Sequence, residues 1–294
     1  MFNTMQKKWI NISPTRGDAP APRAAHIQLC FYNYIFVFGG IGTSDHIYGD
    51  LWVFDIIKQD WHMIMDSERT HELTHDGITG YIPSGRMFSS AVLFENFGAA
   101  VMIGGLTKEG VAGDIWALDL DMVVNLVEQP KKYKKENVWT RRQVEEGAES
   151  HLARYGHASG LINNRALLVF GGIDADSYAM RDIFSYDFIS NIVTPLQESG
   201  VPPPTRIGHG LLSIGNGMML LYGGEDPQGR GSFSDLWHIR VHLAENDVHY
   251  SQAKYKDDHE HYILSWRTGF TFAFMPVSQN PIMLGGTFGN NQQS

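Results

Sequence analysis

The sequence predicts an all-β chain built as a β-propeller of four-stranded antiparallel blades, and two observations carry that prediction. First, an apolar run ends in a glycine pair five times, at 35–38, 100–103, 167–170, 219–222 and 281–284. The pairs are Gly39 and Gly40, Gly104 and Gly105, Gly171 and Gly172, Gly223 and Gly224, and Gly285 and Gly286. Their first members lie 65, 67, 52 and 62 residues apart, as a repeating unit with insertions would be. Second, other residues keep a fixed order around each pair.

Each strand of the unit can be justified in turn. Strand a opens at an arginine 16 to 18 positions ahead of the glycines: Arg23, Arg86, Arg154, Arg206 and Arg267. Three of these begin Arg-x-x-His, with His26, His157 and His209. Strand b is the β-branched and aromatic run itself, and its glycine pair permits positive φ and close backbone approach. Strand c starts 10 to 12 residues later, at Asp50-Leu51-Trp52, Asp114-Ile115-Trp116, Asp182-Ile183-Phe184 and Asp235-Leu236-Trp237. Strand d is marked by a following tryptophan: Trp61, Trp139 and Trp266, with Trp9 in the same place ahead of Arg23. The third unit has Ile192-Val193-Thr194 there instead. Seven tryptophans suit large apolar contacts between blades.

Arg-x-x-His, a strand ending in Gly-Gly, Asp-Leu-Trp and then Trp closely resemble the Kelch repeat, over essentially the whole chain. The resemblance implies one Kelch propeller domain spanning 1–294, with blades at 23–85, 86–153, 154–205 and 206–266 and a partial blade at 267–294. Segment 1–22, through Lys8-Trp9-Ile10-Asn11-Ile12, is read as a closing strand d for the last blade, whose strand c is missing. A five-bladed ring is preferred. A six-bladed parent of which this chain is a fragment is the alternative.

Loops a–b and c–d of a propeller share one face, and loops b–c and d–a the other. The distance from the strand-c aspartate to the next tryptophan is 11 in blade one, 25 in blade two and 31 in blade four. Long c–d insertions are therefore expected in blades two and four. The first holds Lys131, Lys132, Lys134 and Lys135, ahead of Arg141 and Arg142; the second holds Asp247, His249, Asp257, Asp258, His259, Glu260 and His261. Segment 66–85, with His71 and His75, decorates the opposite face. Long loops on a rigid ring commonly carry recognition.

Composition limits the functions. A net charge of −9 repels phosphates and anionic lipid, so neither nucleic acid nor membrane insertion is expected. The basic run at 131–142 reads as a solvated loop. Cys30 is the only cysteine, which excludes an intrachain disulfide and fits a cytoplasmic protein; its apolar setting makes it a packed side chain rather than a nucleophile. Histidines and acids near His249 and His261, and near His71, His75 and Asp76, have no recognised metal spacing, so no metal or cofactor is expected.

In many Kelch proteins, arginines near the start of strand a grip acidic peptides or a C-terminal carboxylate. The resemblance allows that role for Arg23, Arg86, Arg154, Arg206 and Arg267. The competing reading has each arginine pair with an aspartate or strand-end carbonyl of an adjacent blade, with His26, His157 and His209 as inter-strand hydrogen bonders. A few Kelch propellers are enzymes, but no phosphate loop, nucleophile elbow or catalytic triad is found here. The expected function is binding of a protein or peptide, possibly an acidic one, as adaptor, substrate receptor, or trafficking or cytoskeletal scaffold. Alternatives are a Kelch regulatory domain of a larger enzyme such as a phosphatase and, less favoured, a free-standing enzyme.

Overall fold

The computed structural model describes residues 2–3, 6, 8–12, 18–66, 82–133, 137–254, 267–275 and 280–287. Blade one comprises β1 (Ile27–Phe31), β2 (Tyr34–Phe38), β3 (Leu51–Asp55) and β4 (Asp60–Met65), paired in that order and antiparallel throughout. Blade two repeats the pattern with β5 (Ser90–Phe94), β6 (Ala99–Ile103), β7 (Ile115–Asp119) and β8 (Trp139–Arg142). Blade three uses β9 (Ala158–Ile162), β10 (Ala166–Phe170), β11 (Ile183–Asp187) and β12 (Val193–Pro195). The next strand, β13 (Gln197–Ser199), joins blade four instead. There it lies parallel to the outer edge of β14 (Gly210–Gly215), β15 (Met218–Tyr222), β16 (Leu236–His242) and β17 (Asp247–Gln252). The fifth sheet is a pair, β18 (Thr268–Met275) and β19 (Asn280–Thr287).

The central strands of blades one to three are buried on both faces and so read as continuous apolar runs, whereas β16 of blade four alternates, with His238, Arg240 and His242 exposed. Phe36, Phe38, Leu51 and Val53 of blade one meet Met102, Trp116, Leu118 and Trp139 of blade two. The opposite side of blade two, with Val101, Ile103 and Ile115, meets Leu167, Val169, Phe184 and Tyr186 of blade three. Leu168, Phe170 and Ile183 then meet Leu221, Trp237 and Ile239 of blade four.

Backbone hydrogen bonds stitch neighbouring blades at two levels. The N–H of the second glycine donates to the carbonyl of the next blade's arginine: Gly40 to Arg86 (2.8 Å), Gly105 to Arg154 (2.8 Å), Gly172 to Arg206 (3.0 Å) and Gly224 to Arg267 (3.0 Å). Two residues beyond each arginine the chain turns left-handed, at Ala25, Phe88, Gly156, Gly208 and Gly269. Each of these from Phe88 onward donates its N–H to the carbonyl of the one before, at 2.9–3.0 Å.

The structure corrects several expectations. Strand d of blade four is β17, reached from β16 by a tight turn at 243–246, so blade four has no long c–d insertion. Tyr250, opposite Ile239 and 3% exposed, fills the buried strand-d position assigned to Trp266. The insertion instead follows strand d; Trp266 and residues 257–261 lie outside the described residues, as do His71, His75 and Asp76. The c–d insertion of blade two folds into α1 (Leu120–Glu128), capped by Asp119, which accepts from the Met122 N–H at 2.8 Å. Lys131 and Lys132 follow it; Lys134 and Lys135 lie outside the described residues. Arg142 is no solvated loop residue: it donates to the Asn191 side chain and the Phe188 carbonyl, both at 2.8 Å, fastening blade two to blade three. Lys8–Trp9 pairs with Phe2–Asn3 as a small hairpin rather than with the last blade, and Trp9 is 70% exposed. Cys30 is exposed rather than packed, because it points away from the side of blade one that blade two covers.

Candidate functional site

The five arginines open strand a of every blade, and the structure shows what most of their donors do. Arg206 Nη1 donates to Asp235 Oδ1 (2.7 Å) and the Gly223 carbonyl (2.9 Å), Nη2 to Asp235 Oδ2 (2.8 Å), and Nε to the Pro204 carbonyl (3.1 Å). Arg23 makes the same set with Asp50, Gly39 and Ala21, and Arg86 with Asp114, Gly104 and Ser84. Arg154 holds Asp182 with Nη2 and reaches the Gly171 and His151 carbonyls. Arg86, Arg154 and Arg206 are 0–2% exposed. Such guanidinium groups are fasteners between strands a, b and c of a single blade, and the aspartate is in the same blade rather than an adjacent one. With their donors committed and their side chains buried, these three cannot grip a peptide in this arrangement. Arg267 donates to the Gly285 carbonyl at 3.0 Å.

The aspartate is shared with a tryptophan two residues on. The indole N–H of Trp52, Trp116 and Trp237 donates to Asp50, Asp114 and Asp235 at 2.6, 2.7 and 2.6 Å. Burial alone would raise these carboxyls; the arginine and the indole hold them below the usual carboxylate range. Blade three has Phe184 in place of tryptophan, and here His151 supplies the missing contact, Nδ1 lying 2.9 Å from Asp182 Oδ2. Sequence reasoning missed His151, since it sits on the d–a connection and outside the repeat.

His157 and His209 face the end of strand b of the preceding blade, at the backbone of Ile103 and Phe170. Among the described residues neither ring has a hydrogen-bond partner of good geometry. They pack instead against the first glycine of the preceding blade, Gly104 and Gly171. Burial, then the charge of Arg154 or Arg206, lowers their pKa, that of His209 to about 3. The unfolded-state value is near 6.5, so below that pH the unfolded chain binds protons that the folded chain refuses. Their contribution is complete above about pH 6.5 and declines as the pH falls. Denaturant titrations from pH 7 to 4.5 should therefore show falling stability, with a shallower slope in His157→Gln and His209→Gln. An unchanged slope in both variants would contradict this assignment.

The two faces of the propeller differ. The a–b and c–d turns expose Tyr32 (73%), Ile57 (71%) and Ile189 (63%), together with Phe97 and Ile192. Phe97 packs on Phe188 with centroids 5.2 Å apart, joining blades two and three on this face. Helix α1 lies on the same face, buried through Leu120 and Val123, and its Glu128 accepts a hydrogen bond from the Tyr34 hydroxyl of blade one. Lys58 joins this contact, 3.3 Å from Glu128 and 3.1 Å from Asp55. The opposite face carries the b–c loops, with Tyr178 exposed.

Among the described residues one group has the donor types for a cation: His242, Glu245 and Asp247 at the β16–β17 turn, with ligand atoms within 4.8 Å of one another. His242 and Asp247 already contact each other at 2.8 Å. His249 is 3.2 Å from Ser199. No helix among the described residues is long and apolar enough to cross a membrane.

Comparison with known proteins adds a family match: residues 133–293 fit the KLHDC2/KLHL20/DRC7 Kelch-repeats domain. Tip elongation aberrant protein 1 of Schizosaccharomyces pombe is 24% identical over 78% of this chain and 18% of its own length. Adagio-like protein 1 of Oryza sativa is 24% identical over 71% of this chain and 29% of its own. Serine/threonine-protein phosphatase BSL2 of Arabidopsis thaliana is 26% identical over 62% of this chain and 15% of its own. The chain thus spans less than a third of each of these relatives.

Proposed function

Since this chain belongs to the Kelch-repeat family, whose domains generally serve as non-catalytic interaction modules, we propose that it is a binding module that receives a protein or peptide on the face bearing α1. The observation that carries the proposal is the set of exposed apolar side chains at Tyr32, Ile57, Phe97, Ile189 and Ile192, drawn from the turns of three blades on that face. Apolar surface contributed by several turns of a rigid scaffold is a usual setting for recognition. The arginines open the blades from within and are not the contact surface of this reading. A role as adaptor or scaffold follows from it, and a cytoplasmic setting accords with a single cysteine. A second reading, regulation of an enzyme carried on the same polypeptide, is favoured by the likeness to the phosphatase.

The test is paired capture from native extract. Ile57→Asp with Ile189→Asp should abolish recovery of specific partners, while Tyr178→Asp on the opposite face leaves recovery intact, with thermal melting unchanged in both. Equal recovery by both variants would remove the α1 face from consideration.

A further inference from the structure

Two positions break the repeat on the face of the b–c loops. The residue two beyond the arginine has a left-handed backbone in every blade, and in blades three to five it is Gly156, Gly208 and Gly269. Glycine takes that backbone freely, whereas an aromatic residue is strained in it. Blade two nonetheless has Phe88 there, with φ +55° and 45% exposed. Burial of the phenyl group therefore does not offset the strain. The second position follows the glycine pair, where blades one to three have Ile41, Leu106 and Ile173, each paired with the residue after an arginine. Blade four has Glu225 in that place, paired with Ile207.

The two departures lie along one stretch of surface. The Phe88 ring packs on that of Tyr155 in blade three, with centroids 6.4 Å apart. Gly156, next in the chain, donates its N–H to the Phe88 carbonyl at 2.9 Å, and a Cβ added to it would stand 3.3 Å from the Ile207 side chain. Ile207 in turn exchanges backbone hydrogen bonds with Glu225 at 2.9 and 3.0 Å. A floor of Phe88, Tyr155 and Ile207 thus runs from blade two to a carboxylate of blade four. The connections on this face are acidic: segments 106–113, 143–153, 173–181 and 225–234 hold eight Asp or Glu against three Lys or Arg. Their summed field attracts cations and repels polyanions.

We propose that this floor is a docking surface for an extended, arginine-bearing segment of another polypeptide. The guanidinium group lies over the Phe88 and Tyr155 rings, whose faces attract a cation and stack on its plane. A second basic side chain meets the Glu225 carboxylate, and the acidic connections speed encounter with a basic partner and disfavour an acidic one. Both departures from the repeat then serve one ligand. Blade two accepts strain to present a ring, and blade four gives up an aliphatic contact to present a charge. The surface lies on the opposite side of the propeller from α1, so neither the ligand nor its test rests on the reading of that face.

The probe is a fluorescein-labelled, end-capped peptide with two arginines separated by one glycine in a glycine–serine frame, titrated with the protein at low salt and read by fluorescence anisotropy. Saturable binding is expected, about tenfold weaker when both arginines are replaced by lysine and absent when both are replaced by glutamate. Phe88→Gly should weaken binding about tenfold or more with the melting temperature unchanged within about 3 °C, because glycine is unstrained at that position. Glu225→Gln should weaken it more than the double change Glu145→Gln with Glu146→Gln, which removes twice the charge from the same face. No binding up to about 1 mM, or equal affinity for the arginine and lysine peptides, would overturn the proposal. A greater loss from the Glu145 and Glu146 pair would overturn it as well, since attraction would then come from charge alone. So would a marked fall in melting temperature in Phe88→Gly, which would show that the ring is kept for packing; Glu225→Gln tests the surface independently of that variant.

Discussion

Arg206→Ala should lower the melting temperature by about 10 °C. The arginine is fully buried and its partner Asp235 is 16% exposed, with two contacts at 2.7 and 2.8 Å. Removing one member of a buried pair leaves the other charge uncompensated, at a cost of about 3–5 kcal/mol. For a domain of this size each kcal/mol moves the midpoint by about 2–4 °C. The loss extends beyond the ion pair, because the same side chain holds the Gly223 and Pro204 carbonyls and lies 4.2 Å from the Phe233 ring. Asp235 would keep only the Trp237 indole as a side-chain partner, and burial would then push its carboxyl upward. Arg165→Ala is the control. Its bond to Asp187 is 2.6 Å long, but the arginine is 66% exposed, and such surface pairs contribute at most about 1 kcal/mol. Equal shifts in the two variants would show that the repeated arginine does not hold the blade.

Gly39→Ala should destabilise by a comparable amount through the backbone. Gly39 has φ +70°, and a Cβ there would stand 2.4 Å from the Arg86 carbonyl oxygen of the next blade. That oxygen is the acceptor for Gly40, so it cannot retreat without loss of a stitch between blades. Left-handed backbone costs a non-glycine residue about 1–2 kcal/mol, and the clash with a hydrogen-bonded carbonyl adds to it. Gly229→Ala separates the two contributions. Its φ is +73° but nothing lies within 4 Å of the added carbon, so only the backbone cost of about 1 kcal/mol should appear. Chemical denaturation of both variants measures the difference directly.

Much of this architecture is written in the chain. The arginine, the glycine pair and the aspartate recur because a hydrogen-bonded triangle requires all three, and the separation of arginine from aspartate, 27 to 29 residues, is nearly constant across blades. That constancy could have revealed the pairing from sequence. The features that stayed hidden are those where another side chain meets the same physical need. Tyr250 buries strand d of blade four in place of a tryptophan, so counting to Trp266 put an insertion on the wrong side of the strand. His151 satisfies Asp182 from a different segment, and a lone histidine carries no such signal. Helix α1 was invisible because nine residues rich in valine and leucine read equally well as strand; its helical state comes from packing on blades one and two and from the Asp119 cap. The exposed face was legible only as loop length, since which turn residues reach solvent depends on how each turn closes.

From blade two onward the arginine of each blade has two attachments that bear on unfolding. Its side chain binds its own sheet, while its carbonyl accepts the N–H of the preceding one. Loosening Arg206 therefore disturbs Gly172 of blade three as well as Asp235 of blade four. Sheets linked in this way cannot melt one at a time, because the residue that frees one is an anchor for its neighbour. Paired lesions in adjacent blades should accordingly depart from additivity, whereas lesions two blades apart should sum. The repeat that makes the chain look modular is thus what makes its unfolding cooperative.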